Sequence, residues 1–99
     1  MPKSIHRPEH QLLTVLLRDL RKQAGLTQAT LAKKLKRPQT FVSTVERGLV
    51  RQDFLQLRDW CKRCGVSVAD LALEFEVRLS VHSKTKLAVA KTRERRPLG

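Results

Sequence analysis

Tyrosine is absent from the 99 residues, and one tryptophan and three phenylalanines make up the whole aromatic complement. So sparse a set offers no platform of rings on which the unstacked bases of a single strand would lie. Two cysteines cannot form the several bridges that staple a small secreted scaffold. No apolar run approaches the roughly 18 residues needed to cross a bilayer. The stretch from Met1 to Pro8 holds Lys3, His6, Arg7 and two prolines in place of an apolar signal core, which places the expected protein in the cytoplasm. Also missing are a glycine-rich phosphate loop, a paired carboxylate site and a Ser/His/Asp set. His6, His10 and His82 stand at no ligand-like spacing. The expectation is a protein that is not an enzyme, with no cofactor and no metal.

Acid is scarce as well. Nine Asp and Glu face 21 Lys and Arg, a formal net charge of +12, and such an excess points to a polyanionic partner. The charge is unevenly placed. Residues 66–76 hold Asp70, Glu74 and Glu76 with no base, whereas residues 77–99 hold seven bases against one acid. A second basic zone lies mid-chain, at Lys33, Lys34, Lys36 and Arg37. Two basic zones flanking a confined acidic one read as a binding footprint rather than a solvated coat.

What is present is helical periodicity on a chain long enough for one compact core. Residues 9–24 carry Leu12, Leu13, Leu16, Leu17 and Leu20 as an apolar stripe, with Pro8 suited to the first turn and Gly25 to the stop. Thr27 caps a second helix with Leu31, Ala32 and Leu35 facing inward. The pair Arg37-Pro38 breaks it, and Pro38 opens a third helix through Val42 and Val45 to Gly48. A fourth is expected at about Asp53–Cys64, with Phe54, Leu57, Trp60, Cys61 and Cys64 on one side. Ser67 caps a fifth, and Asp70 completes a near capping box ahead of Leu71, Ala72 and Phe75. The expected fold is all-α, a compact five-helix domain over residues 9–76.

Residues 77–99 form a basic C-terminal extension. From Phe75 to Val81 apolar and polar residues alternate, the period of a half-buried strand. A lone strand needs a partner: the same strand of a second subunit, a hairpin return through Leu87 and Val89, or the sheet edge of another protein. Residues 84–96, rich in Lys, Ala and Arg, are either a basic helix or a disordered tail.

Function rests on the block Leu26-Thr27-Gln28-Ala29-Thr30-Leu31-Ala32, a short turn, then Pro38 through Gly48. It makes two short helices with a tight turn between them. The outward face of the second carries small neutral side chains suited to a groove. Gln bonds adenine N6 and N7 together, and Thr donates, accepts or touches a thymine methyl.

With Leu17-x-x-Leu20-Arg21, Gly25-Leu26-Thr27-Gln28, Leu31-Ala32, Val42-Ser43, Val45-Glu46, Gly48 and Gly65-Val66-Ser67 in register, residues 12–75 resemble the phage-repressor or XRE-type helix-turn-helix regulators. The resemblance implies that Gln39, Thr40 and Thr44 read base edges. It implies backbone contacts from Gln28, Ser43, Arg47 and Arg51, a hydrogen bond from Gln28 to Gln39, and an ion pair between Arg21 and Glu46. Two positions depart from the pattern. Lys36 stands where the turn usually has glycine, which reshapes the turn or tilts or shifts the third helix. Phe41 either meets thymine methyls and sugars or folds back into the core.

Trp60-Cys61-Lys62-Arg63-Cys64 imitates a redox motif. It lies at the C-terminal end of a helix, where the dipole disfavours a thiolate, so both thiols are expected in the core. The leading reading is a sequence-specific regulator, a repressor working as a homodimer on a palindromic operator in double-stranded DNA. The alternative is an antitoxin-type protein that binds its own promoter and occupies a toxin or other partner through the segment after Phe75.

Overall fold

The computed structural model describes residues 7–83 of the chain. Five helices follow one another: α1 (Pro8–Gln23), α2 (Gln28–Leu35), α3 (Gln39–Glu46), α4 (Phe54–Arg63) and α5 (Val68–Ser83). Their ends are local chemistry. Pro8 opens α1, and the Thr27 hydroxyl accepts from the Thr30 N–H at 3.0 Å to start α2. Asp53 and Gln56 form a reciprocal capping box on α4, and Ser67 and Asp70 form one on α5. Each arrangement satisfies N–H groups that a helix start leaves without partners. Pro38 is the residue before α3 rather than its first residue, with ψ near 154°.

The core gathers one face from every helix. Leu16 and Leu17 of α1, Leu31 and Ala32 of α2, Val42 and Val45 of α3, Trp60, Cys61 and Cys64 at α4, and Leu71 of α5 are all buried. Trp60 is fully enclosed, and its indole N–H donates to the Leu17 carbonyl at 3.1 Å, so the ring is buried without an orphaned donor. Phe54 and Ala72, expected inward, are exposed. Phe54 is the first residue of α4, one turn beyond Leu57 and past the edge of the core.

Lys36 itself takes the left-handed conformation that the turn after α2 requires (φ 59°, ψ 42°). The Arg37 N–H then reaches back to the Ala32 carbonyl at 3.0 Å, and the turn closes as it would around glycine. The strain stays in one residue. Lys36→Gly is therefore expected to raise stability by about 0.5–1 kcal/mol, the left-handed penalty less the entropy of glycine. A urea titration of both proteins measures it, and an unchanged or lower midpoint would show that Lys36 bears no strain.

The strand expected from Phe75 to Val81 is corrected: these residues are helical, and α5 runs unbroken to Ser83. A period of two is also two interleaved series of period four. Leu71, Phe75 and Leu79 make one helical row and Leu73, Val77 and Val81 another. Glu74 and Arg78, four apart, bond at 3.0 Å along the helix, and Arg78 also reaches Asp19 of α1 at 3.0 Å. Those pairs need helical spacing and tie the second half of α5 to the domain. The expected helix or tail at 84–96 lies outside the described residues.

Candidate nucleic-acid interface

At 3.6 residues per turn, Phe41, Val42 and Val45 share one side of α3, and Gln39, Thr40, Ser43, Thr44 and Arg47 share the other. The first group packs in or against the core. In the second, Gln39, Thr40 and Arg47 are exposed, and Ser43 and Thr44 are half-buried. The three expected base readers thus stand on one outward face with Ser43 and Arg47. Arg51, also exposed, follows in the loop to α4.

Glu46, the acid at the end of this helix, is turned inward. Arg21 Nε lies 2.6 Å from Glu46 Oε2, and its Nη2 donates to Oε1 at 3.0 Å, with both side chains almost wholly buried. Arg21 Nη1 also donates to the Leu26 carbonyl at 2.8 Å. One guanidinium therefore binds the end of α3 and the turn before α2 to α1. A fork-to-fork geometry of this kind fixes orientation as well as charge. The resemblance did not anticipate the third member. Gln28 Nε2 donates to Glu46 Oε1 at 3.0 Å, rather than to Gln39. The carboxylate consequently has its charge met inside the domain, beside a face that would otherwise repel phosphate.

Phe41 folds back. It is half-buried against the core, and the Arg37 guanidinium carbon sits 3.9 Å from its ring centroid. That stacking places a cation at the start of α3. The residue escaped the reading of the sequence, although an arginine four positions before an aromatic at a helix start is a usable signal. Around the same two helices Lys33, Lys34, Lys36 and Arg37 are all exposed. At the other end of α3, Gly48 has φ 76°, and its carbonyl lies 3.3 Å from His10 Nε2. The loop leading to Arg51 is thereby attached to the start of α1.

The two thiols lie away from this face, buried and unbridged. Burial pushes Cys61 up to about 11, with the Asp70 carboxylate adding to the effect. Burial raises Cys64 to about 11 as well. At neutral pH only about one thiol in ten thousand would be the reactive thiolate. A thiol reagent at pH 8 is expected to label the native protein only as fast as it opens, and to label urea-unfolded protein at once. Rapid labelling of the native state would mean that the thiols are accessible. Among the described residues no cluster of His, Cys, Asp and Glu could hold a metal, and no helix is long and apolar enough to cross a membrane.

The family model for the helix-turn-helix domain matches residues 12–73. An XRE-family like protein from Pseudomonas syringae pv. tomato str. DC3000 is 38% identical, with 77% of this chain and 93% of that one covered and a TM-score of 0.69. The clp gene regulator ClgR from Corynebacterium glutamicum is 25% identical, with 81% and 85% covered and a TM-score of 0.70. The restriction-modification controller protein C.Esp1396I, solved as a tetramer with its natural 35 base-pair operator, shares the fold at 20% identity, with 74% and 96% covered and a TM-score of 0.68. No curated protein sequence matches the chain.

Proposed function

The chain belongs to the XRE-type helix-turn-helix family, and we propose on that footing that it is a sequence-specific transcriptional repressor that binds a palindromic operator as a homodimer. It works in the cytoplasm, on double-stranded DNA. The observation that carries this reading is the outward face of α3, neutral and polar, with the only acid of the helix paired internally. Such a face enters a major groove without repelling the backbone. Likeness to a clp gene regulator supports the regulatory role.

In this reading Gln39, Thr40 and Thr44 contact base edges, and Ser43, Arg47 and Arg51 contact phosphates. Gln28 has a second amide proton, so it can hold Glu46 with one and a phosphate with the other. Two copies of α3 then enter successive major grooves about 34 Å apart. The basic residues around α2 and in the C-terminal extension strengthen binding to any duplex and choose none. The toxin-partner alternative rested on a strand at Phe75–Val81, and the helix there removes that basis.

Operator selection from randomised duplexes tests the reading, and failure to enrich any sequence would overturn it. Thr44→Ala is expected to relax the preference at one position of each half-site, costing roughly tenfold on the selected operator and little on random DNA. Arg47→Ala is expected to weaken binding to both alike and to reduce the salt slope by about one. The reverse pattern would exchange their roles.

A further inference from the structure

The outward face of α3 runs around the helix from Gln39 to Thr44, and a different neighbour borders it on each side. Glu46 lies about 20° beyond Gln39, and there Gln28 of α2 is bonded to the carboxylate at 3.0 Å. Phe41 lies about 60° beyond Thr44, and there the Arg37 guanidinium rests 3.9 Å from the ring centroid. Lys33, Lys34, Lys36 and Arg37 are all exposed around the turn, and among the described residues Arg37 is the one cation stacked on a ring. Its backbone is fixed as well. Its N–H donates to the Ala32 carbonyl at 3.0 Å, and Pro38, with φ −68° and ψ 154°, follows it. The charge is also uncommitted. Asp59 of α4 lines the same small cavity as Arg37 and Phe41, yet among the described residues Arg37 forms no ion pair.

We infer that Arg37, held flat by Phe41, contacts a backbone phosphate on the wall of the major groove opposite to the one Gln28 meets. Phe41 is the positioning residue of that contact. Each wall of a major groove is the phosphate chain of one strand, and a helix lying in the groove turns one flank to each. Gln28 stands at the Gln39 flank of α3, and Arg37 stands at the Thr44 flank. Stacking covers one face of the guanidinium and leaves its in-plane N–H fork open, the geometry that meets two phosphate oxygens. A lysine on a free stem must be ordered when the duplex arrives, whereas a stacked arginine is ordered when the protein folds, so less affinity is lost on binding. The aromatic residue at position 41, a departure from the family pattern, acquires a purpose in this arrangement. The contact rests on the DNA-binding regulator reading above and adds the second wall of the groove to it.

The full-length chain and its variants are titrated with the selected operator and with random duplexes over a range of salt. Arg37→Ala is expected to lose roughly five- to tenfold at 0.1 M salt on both DNAs alike and to lower the salt slope by about 0.9, the mark of one phosphate. Phe41→Leu keeps an apolar side chain against the core and removes the ring, and a loss of roughly threefold is expected. Phe41→Tyr keeps the ring and is expected to bind as the parent does. Adding Phe41→Leu to Arg37→Ala should cost nothing further; additive losses would overturn the positioning role of Phe41. Operators carrying one neutral methylphosphonate at a time locate the contact. One position in each half-site is expected to weaken the parent and leave Arg37→Ala unaffected, on the strand opposite to the position that Gln28→Ala no longer senses. Both positions on one strand would overturn the two-walled arrangement. A changed base preference in Arg37→Ala would make that residue a base reader, and unchanged binding would leave the stack a purely structural one; either result overturns the proposal. A parent that selects no operator fails the regulator reading, while the random duplexes still test the phosphate contact. A parent that binds no duplex overturns both.

Discussion

Arg21→Met is expected to cost about 3–5 kcal/mol of folding stability, the usual penalty for removing one member of a buried ion pair. Glu46 would keep Gln28 as its hydrogen-bond partner but lose the cation that neutralises it. The loss is large for a domain of this size, whose whole stability is of the order of 5–15 kcal/mol. Urea unfolding followed by circular dichroism measures it, and a loss under 1 kcal/mol would show that the pair is not the clamp. The double variant Arg21→Met, Glu46→Leu discriminates further. Replacing both charges with apolar groups leaves neither one stranded, so most of the lost stability should return. If operator binding returns with it, the pair acts by positioning α3; if stability returns without binding, the charges contribute at the DNA as well.

Trp60→Ala is expected to be comparably damaging, about 3–5 kcal/mol, because it empties the largest fully buried site in the domain. Leu16, Leu17, Val42 and Val45 belong to the same core cluster, so a collapse there also disturbs the seat of α3. Trp60→Phe keeps most of the volume and loses the indole hydrogen bond to the Leu17 carbonyl. A loss of about 1–2 kcal/mol is expected for it. Because Trp60 is the only tryptophan, its fluorescence reports unfolding of the parent, with far-ultraviolet circular dichroism serving for the variants. Equal costs for Phe and Ala would mean that the hydrogen bond, rather than the ring, dominates at this position.

Much of this was legible in the chain because its signals are local. Thr27 and Ser67 cap helices since each can reach an N–H two or three residues on, whatever the rest of the protein does. Leu16, Leu17, Leu31, Val42 and Trp60 announce the core by spacing alone. The outward set Gln39, Thr40, Ser43, Thr44 and Arg47 is likewise a consequence of helical periodicity once α3 is placed.

The misreadings have a common cause. From Phe75 to Val81 the alternation satisfies a strand and two helical rows equally, and it is distant contacts, Arg78 reaching Asp19, 59 residues earlier, and Phe75 packing against the core, that accompany the helix. Phe41 left two choices open because its burial depends on neighbours such as Leu35 and Arg37 that the turn brings beside it. Gln28 could serve several partners, and it meets Glu46 only because Arg21 holds that carboxylate in place.

The sequence by itself therefore determined the number of the helices, the caps at Thr27 and Ser67, most of each buried stripe, the polar face of α3 and the uneven charge. All of these depend on interactions within about a turn of the chain or on composition. Only the tertiary structure decided how α5 continues, where Phe41 and Gln28 point, and which apolar row of α5 stays in solvent. Those outcomes depend on side chains brought together from distant positions, where several local choices are nearly equal in energy and packing selects one.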